Sequence, residues 1–158
     1  RLRNLQSRIA QLKNVPTVQT ASRYSLRSSQ HRNLVDQTEI AQLCDSHALK
    51  AFQPGALSFL KQVGFLRNCR LWVVEAGAML AGMICMRPGS TVVGLVSDRK
   101  QQVRIWVELA QILGIAFFPV VGTADPRKHS VHSSYRLGRK GQDELAHLIQ
   151  KLDASSTT

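Results

Sequence analysis

Residues 91–121 read TVVGLVSDRKQQVRIWVELAQILGIAFFPVV. Two uncharged runs, Thr91–Val96 and Ile115–Val121, flank a segment with a different period. In that segment Val103, Trp106, Val107, Ala110 and Leu113 fall on one helical face, and Gln101, Arg104, Glu108 and Gln111 on the other. Gly114 follows, where a helix end favours a residue able to turn left-handed. A strand that is apolar throughout is buried on both faces, and strand–helix–strand in this order makes a parallel βαβ unit. Working outward, Arg70-Leu-Trp-Val-Val-Glu75 reads as a further buried strand. Ala56, Phe59, Leu60 and Val63 predict a helix before it, ending near Leu66. Asp36 and Glu39 have capping-box spacing ahead of a helix carrying Ile40, Leu43, Cys44 and His47 on one face. Residues 78–86 fit a strand or a helix equally, and Pro88-Gly89-Ser90 marks a turn. Pro119 inside the third strand argues for an edge or a bulge. Gly122–Ser130 reads as a polar loop, with a short strand near Val131–Leu137. A last helix is expected from Gly141, with Leu145, Leu148, Ile149 and Leu152 inward and Asp143 and Glu144 in its first turn. The expected fold is α/β: a doubly wound, mostly parallel sheet (Rossmann- or flavodoxin-like), as one domain over 36–158.

Charge separates the remaining 35 residues from that domain. The 158-residue chain has 21 Lys and Arg against 10 Asp and Glu, a net charge of +11. Arg1, Arg3, Arg8, Lys13, Arg23, Arg27 and Arg32 precede the first acid, Asp36. Residues 1–35 are therefore expected to be a basic N-terminal extension. Rich in Arg, Ser and Gln and free of acids, they have the composition of an organellar transit peptide. Any targeting segment proper is expected to have been removed, leaving a remainder that lies on a polyanion or in a groove of a large assembly. Leu2, Leu5, Ile9 and Leu12 give that remainder a short helix. A hydrophobic content of 44% excludes a wholly disordered chain. No apolar run reaches the ~18 residues of a membrane span. Cys44, Cys69 and Cys85 form no paired framework and read as buried, reduced thiols.

Signatures of chemistry are sparse. No Gly-x-Gly-x-x-Gly follows a strand, and no Gly-x-Ser-x-Gly is present. Gly77 and Gly82 have phosphate-loop spacing, but Met83-Ile84 stands where Lys-Ser/Thr is required. Glu75, Asp98, Thr123 and Asp125 fall at the carboxyl ends of the expected strands, where such folds bind ligands. Asp98 before the long helix and Asp125 before Pro126 read as a helix cap and a turn residue in preference to a carboxylate cluster. His129 and His132 lack a third metal ligand, and Trp72 and Trp106 lie on core faces. No catalytic residue, metal or cofactor is expected. Arg127, Lys128, Arg136, Arg139 and Lys140 form an acid-free group around a glycine turn, and Arg99, Lys100 and Arg104 a smaller one. With the seven basic residues of the extension, these suggest contacts to a nucleic-acid backbone.

Several spaced motifs add a resemblance. Leu95-Val-Ser-Asp-Arg-Lys100, Leu109-Ala-Gln-Ile-Leu-Gly-Ile115 and Val120-Val-Gly-Thr-Ala-Asp-Pro126 recur in order in the last third of the small-subunit ribosomal protein two family. Upstream, Ala56–Leu60, Arg70–Val74 and Leu80-Ala-Gly-Met83 are similar to that family's helix, strand and Leu-Gly-Gly-Met segment. The family's Glu-Ala pair is Leu109-Ala110 here, its Pro-Gly-Asn turn is Gly138-Arg-Lys, and its helical hairpin before the third strand is missing. The resemblance implies a shortened mitochondrial form with a structural, non-enzymatic role in the matrix ribosome. Its partners would be small-subunit ribosomal RNA and neighbouring ribosomal proteins, with no membrane and no small-molecule substrate. The competing reading is a small mitochondrial α/β enzyme that binds a nucleotide or phosphorylated metabolite at the strand carboxyl ends.

Overall fold

A computed structural model describes residues 1–27, 34–99, 103–127 and 133–154. Among these residues six strands form one sheet: β1 (Ala21–Ser25), β2 (Lys50–Ala51), β3 (Cys69–Glu75), β4 (Thr91–Ser97), β5 (Ala116–Ala124) and β6 (Tyr135–Arg136). Their order is β2-β1-β3-β4-β5-β6, parallel throughout except for the antiparallel β5–β6 pair. Among the described residues, five α-helices connect or flank them: α1 (Leu2–Ala10), α2 (Gln37–Ser46), α3 (Phe59–Arg67), α4 (Val103–Leu113) and α5 (Gly138–Ala154). The fold is α/β with a mostly parallel sheet. Among the described residues, no helix is long and apolar enough to cross a membrane.

The central strands follow from their composition. Every residue of β3 except Arg70 is buried, and so is every residue of β4 except Thr91. Val92 and Val96 of β4 meet one core, with Trp72, Val74, Val63, Leu80 and Leu113. Val93 and Leu95 meet the other, with Ile40, Cys44, Val120, Leu145 and Ile149. The period-2 pleat divides one strand between two cores. A register irregularity sets Ala21 against Cys69 but Arg23 against Trp72, so β3 carries one extra residue. That bulge puts Cys69 and Trp72, three apart, into the same core. Gly94 makes room for a ring: a Cβ there would stand 2.6 Å from Phe117 Cζ. The outer side of β5 is paired only at Thr123 and Ala124 among the described residues. Pro119 lies outside that pairing, in the edge setting a strand proline needs.

Several expectations change. The stretch expected as a basic extension supplies β1, which lies between β2 and β3 inside the sheet. Its charge does not prevent this, because Arg23 (4% exposed) lays its guanidinium 4.5 Å from the centre of the Phe65 ring and donates to Gln19 O. Residues 78–85 are neither strand nor α-helix but a 3₁₀ segment, Ala78–Cys85. The last helix starts at Gly138, three residues early, so Asp143 and Glu144 sit in its second turn. Asp36 does not cap its own helix. Its carboxylate crosses to α5 and accepts hydrogen bonds from Leu137 N (3.1 Å), Gly138 N (2.9 Å) and Gln142 Nε2 (3.1 Å). A helix start leaves N–H groups without partners inside the helix, and a buried carboxylate is a strong acceptor for them.

Candidate active site at the carboxyl ends of the strands

The chain leaves β1 towards β2 and leaves β3 towards β4, in opposite directions across the sheet. Connections that diverge from adjacent parallel strands leave room above the strand ends, and open α/β sheets bind ligands there. At this point β1 runs out through Leu26 and Arg27, and β3 through Glu75, Ala76 and Gly77.

Glu75 is 1% exposed and accepts a hydrogen bond from Arg27 N at 3.1 Å. The Arg27 guanidinium turns over the same junction, its Nη2 donating to Ala76 O at 3.3 Å. It can lie there only because residue 77 is glycine: a Cβ would stand 1.5 Å from Arg27 Nη2. Gln37, in the first turn of α2, donates from Nε2 to Arg27 O at 2.5 Å. Arg27 is thus gripped on backbone N and guanidinium by the end of β3 and on backbone O by α2. Tyr135 completes the group from β6. Its hydroxyl donates to Leu95 O at 3.0 Å. Burial pushes that hydroxyl's pKa well up, the Glu75 carboxylate adds to the rise, Arg27 opposes it and Asp36 adds again.

Further along the same edge, Asp98 follows β4. Its Oδ1 accepts from Ala124 N at 3.0 Å, which ties the end of β4 to the end of β5 and leaves the residue exposed. Asp125 Oδ1 accepts from Arg127 N at 3.0 Å, the turn expected before Pro126. A cavity of about 360 Å³ opens beside it, lined by Val35, Thr123, Asp125, Arg127, Tyr135 and Arg136. That is within the ordinary range for a small-molecule pocket. Tyr135 therefore borders both the cavity and the Arg27–Glu75 junction.

The basic residues singled out in the sequence do not share one face. Arg3 and Arg8 lie on α1, with Arg1 just before it and Lys13 just beyond it, at the amino end of the sheet. Arg23 is buried against Phe65 and Arg27 is held in the junction described above. Arg104 pairs with Glu108 at 2.7 Å and Arg127 with Asp125 at 3.2 Å, both on the surface. Arg99 follows β4, Arg136 is exposed on β6, and Arg139 and Lys140 are exposed at the start of α5. Arg32, Lys100 and Lys128 lie outside the described residues, as do His31, His129 and His132. Asp125 makes the turn expected of it, whereas Asp98, expected to cap the helix after β4, accepts instead from Ala124 N of β5. Tyr135 and Gln37 were missed, because nothing local marks a strand tyrosine or a helix glutamine as the neighbour of a residue on β1.

The sequence model of the family Glycosyltransferase 61 matches residues 1–93. No curated protein matches the chain. The match spans β1, β3 and the junction between Arg27 and Gly77. It overturns the resemblance to the small-subunit ribosomal protein two family, and with it the non-enzymatic role, the ribosomal RNA and protein partners and the absence of a small-molecule substrate. The physical reason lies in where that resemblance was strongest. Gly114 ends α4 at φ +71°, and Asp125-Pro126 makes a turn after β5. Helix ends and strand exits call for these residues in many α/β folds, so they report architecture more than ancestry.

Proposed function

This chain belongs to the glycosyltransferase 61 family, and from that premise we propose that it transfers a sugar from a phosphate-activated donor, such as a nucleotide sugar, bound at the carboxyl ends of β1, β3 and β4. We take the sheet to be doubly wound in the flavodoxin-like manner, with its switch point between β1 and β3. In the transfer, the bond from the anomeric carbon to the leaving phosphate oxygen breaks and its electron pair stays with the phosphate. The acceptor hydroxyl oxygen forms the new bond, and its proton passes to a base. Such a step needs a fixed cation beside the leaving group and a carboxylate near the acceptor. Arg27 is the cation, aimed by Glu75, Gln37 and the missing side chain at Gly77. Asp98 is the base, oriented by the Ala124 N–H. Glu75 is a positioning residue, since its buried carboxylate acts through Arg27. The cavity beside Tyr135 and Thr123 receives one of the two substrates.

The observation that carries this reading is the coincidence of the family match with the Arg27–Glu75–Gly77 junction. The test is sugar transfer from a panel of nucleotide sugars, followed by release of the nucleoside diphosphate. Arg27→Gln and Asp98→Asn are each expected to lower kcat by about a hundredfold, the scale of losing one transition-state stabiliser or general base. Transfer at the wild-type rate by both variants would refute the assignment.

A further inference from the structure

The opposite end of the sheet is built differently. Three stretches converge there: α1, the Arg67–Arg70 junction between α3 and β3, and the Arg87–Ser90 turn before β4. Helix α1 is fastened to it by side chains. Arg3 Nε donates to Ile112 O at 2.8 Å, and Gln6 Nε2 reaches Met86 O at 3.0 Å and Leu113 O at 3.3 Å. Two cavities of about 310 and 240 Å³ open at this end, the first against α1, and both are lined by Arg67, Arg87 and Pro88. Gln6 and Ser7 border the first; Asn68, Arg70 and Ser90 border the second. Among the described residues, no acid lines either one.

Among the described residues, the hydrogen bonds of Arg67 and Arg87 go to neutral oxygens. Arg67 Nη2 donates to Ile9 O at 2.5 Å, while its Nε is buried with no hydrogen-bond partner. Arg87 Nη2 donates to the neutral amide oxygen of Asn68 at 3.3 Å. The carboxyl-terminal ends of α1, α3 and α4 supply negative dipole charge, about half a unit each. Arg3, Arg8, Arg67 and Arg87 carry four charges, more than twice that sum. Helix dipoles explain why bases gather here, but they do not balance them.

We propose that these adjoining cavities form a binding site for a small phosphorylated ligand, its phosphate held between the Arg67 and Arg87 guanidiniums. Forked N–H donors suit phosphate oxygens, and a doubly charged group answers the excess. The larger cavity has room for more than the phosphate alone, since a water's share of liquid volume is only about 30 Å³. The site stands apart from the sugar-transfer junction by the length of β3, about 20 Å at 3.3 Å per residue. It does not depend on the transfer reading.

The test is the thermal unfolding midpoint of the full chain, titrated with inorganic phosphate and with glycerol 3-phosphate against potassium chloride at equal ionic strength. Both phosphates are expected to raise the midpoint saturably. Arg87→Gln, at an exposed position, and the conservative Arg67→Lys should each weaken the apparent affinity tenfold or more, the scale of one charge-assisted hydrogen bond. Arg104→Gln and Arg27→Gln should leave it unchanged. Tighter binding of the ester would identify an ester ligand and equal binding a free anion; both uphold the site. No saturable shift in the wild type, or an unaltered shift in Arg87→Gln, overturns it. Arg87→Gln should keep full glycosyl transfer, so the two readings fail separately.

Discussion

At the carboxyl end of the sheet Asp36, Glu75, Asp98 and Asp125 each accept a named backbone N–H. At the amino end Arg67 and Arg87 rest on a backbone carbonyl and an amide oxygen, and no acid among the described residues lines the cavities between them. Both patterns start from one fact of parallel α/β architecture. Helices begin where strands end, so unpaired N–H groups and positive dipole ends collect at one side and carbonyls and negative ends at the other. Acids settle at the first and bases at the second. The difference lies in magnitude. The acids are matched by groups of the chain itself, whereas the bases exceed anything the helix ends supply. One end is self-contained and pre-organised, as a reaction site must be, and the other is left to be completed by an anion from outside.

The comparison can be broken first by alkali. Burial pushes the Cys44 and Cys69 thiols up to about 12 from an ordinary 9.0, and the Tyr135 hydroxyl also rises, chiefly through burial. In the unfolded chain these groups ionise near their ordinary values. Their contribution is therefore complete below about pH 9 and falls as pH rises towards 12. Cys69 begins β3 and Tyr135 lies beyond the far end of it, so both ends are expected to loosen together. Urea unfolding between pH 8 and 12 measures this; constant stability over that range would contradict it. Next in size is Asp36→Ala. It strands Leu137 N, Gly138 N and Gln142 Nε2 at the start of α5, and a loss of about 3 kcal/mol is expected in urea unfolding at neutral pH. Asp36→Asn keeps one acceptor oxygen and should recover part of it.

The amino end responds more locally. Gln6→Ala removes the donor to Met86 O and Leu113 O, at about 1 kcal/mol for a bond to backbone. Faster amide exchange confined to α1 is the expected readout, with the rest of the chain unchanged. The smallest effect is expected at neither end. Arg104 and Glu108 form an exposed pair on α4, and Arg104→Gln should leave the urea midpoint where it is. A clear drop would mean that surface charge matters more here than the contrast between the two ends allows.

Much of this architecture is written locally. The alternation of core faces along α4, the uncharged runs of β3 and β4, and the turn at Pro88-Gly89-Ser90 each carry their own signal over a few residues. The sequence is silent where partners lie far apart. Ala21-Ser-Arg-Tyr-Ser25 looks like part of a basic tail, because its burial rests on Phe65 beneath Arg23 and on Phe52 O accepting from Ser25 Oγ. Asp36 has the spacing of a local cap but reaches α5, about a hundred residues on. Arg27 and Glu75 are 48 residues apart, and only strand order makes them neighbours. The junction motifs that suggested a ribosomal protein are the ones that a sheet of this kind supplies whatever its function.

Calorimetric titration of a nucleotide sugar into the wild type, Arg27→Gln and Arg87→Gln tests the division of labour most directly. The expected result is saturable binding that Arg27→Gln weakens tenfold or more and Arg87→Gln leaves intact. Equal affinity in the wild type and Arg27→Gln, or a loss confined to Arg87→Gln, would place the donor at the wrong end of the sheet and contradict the account.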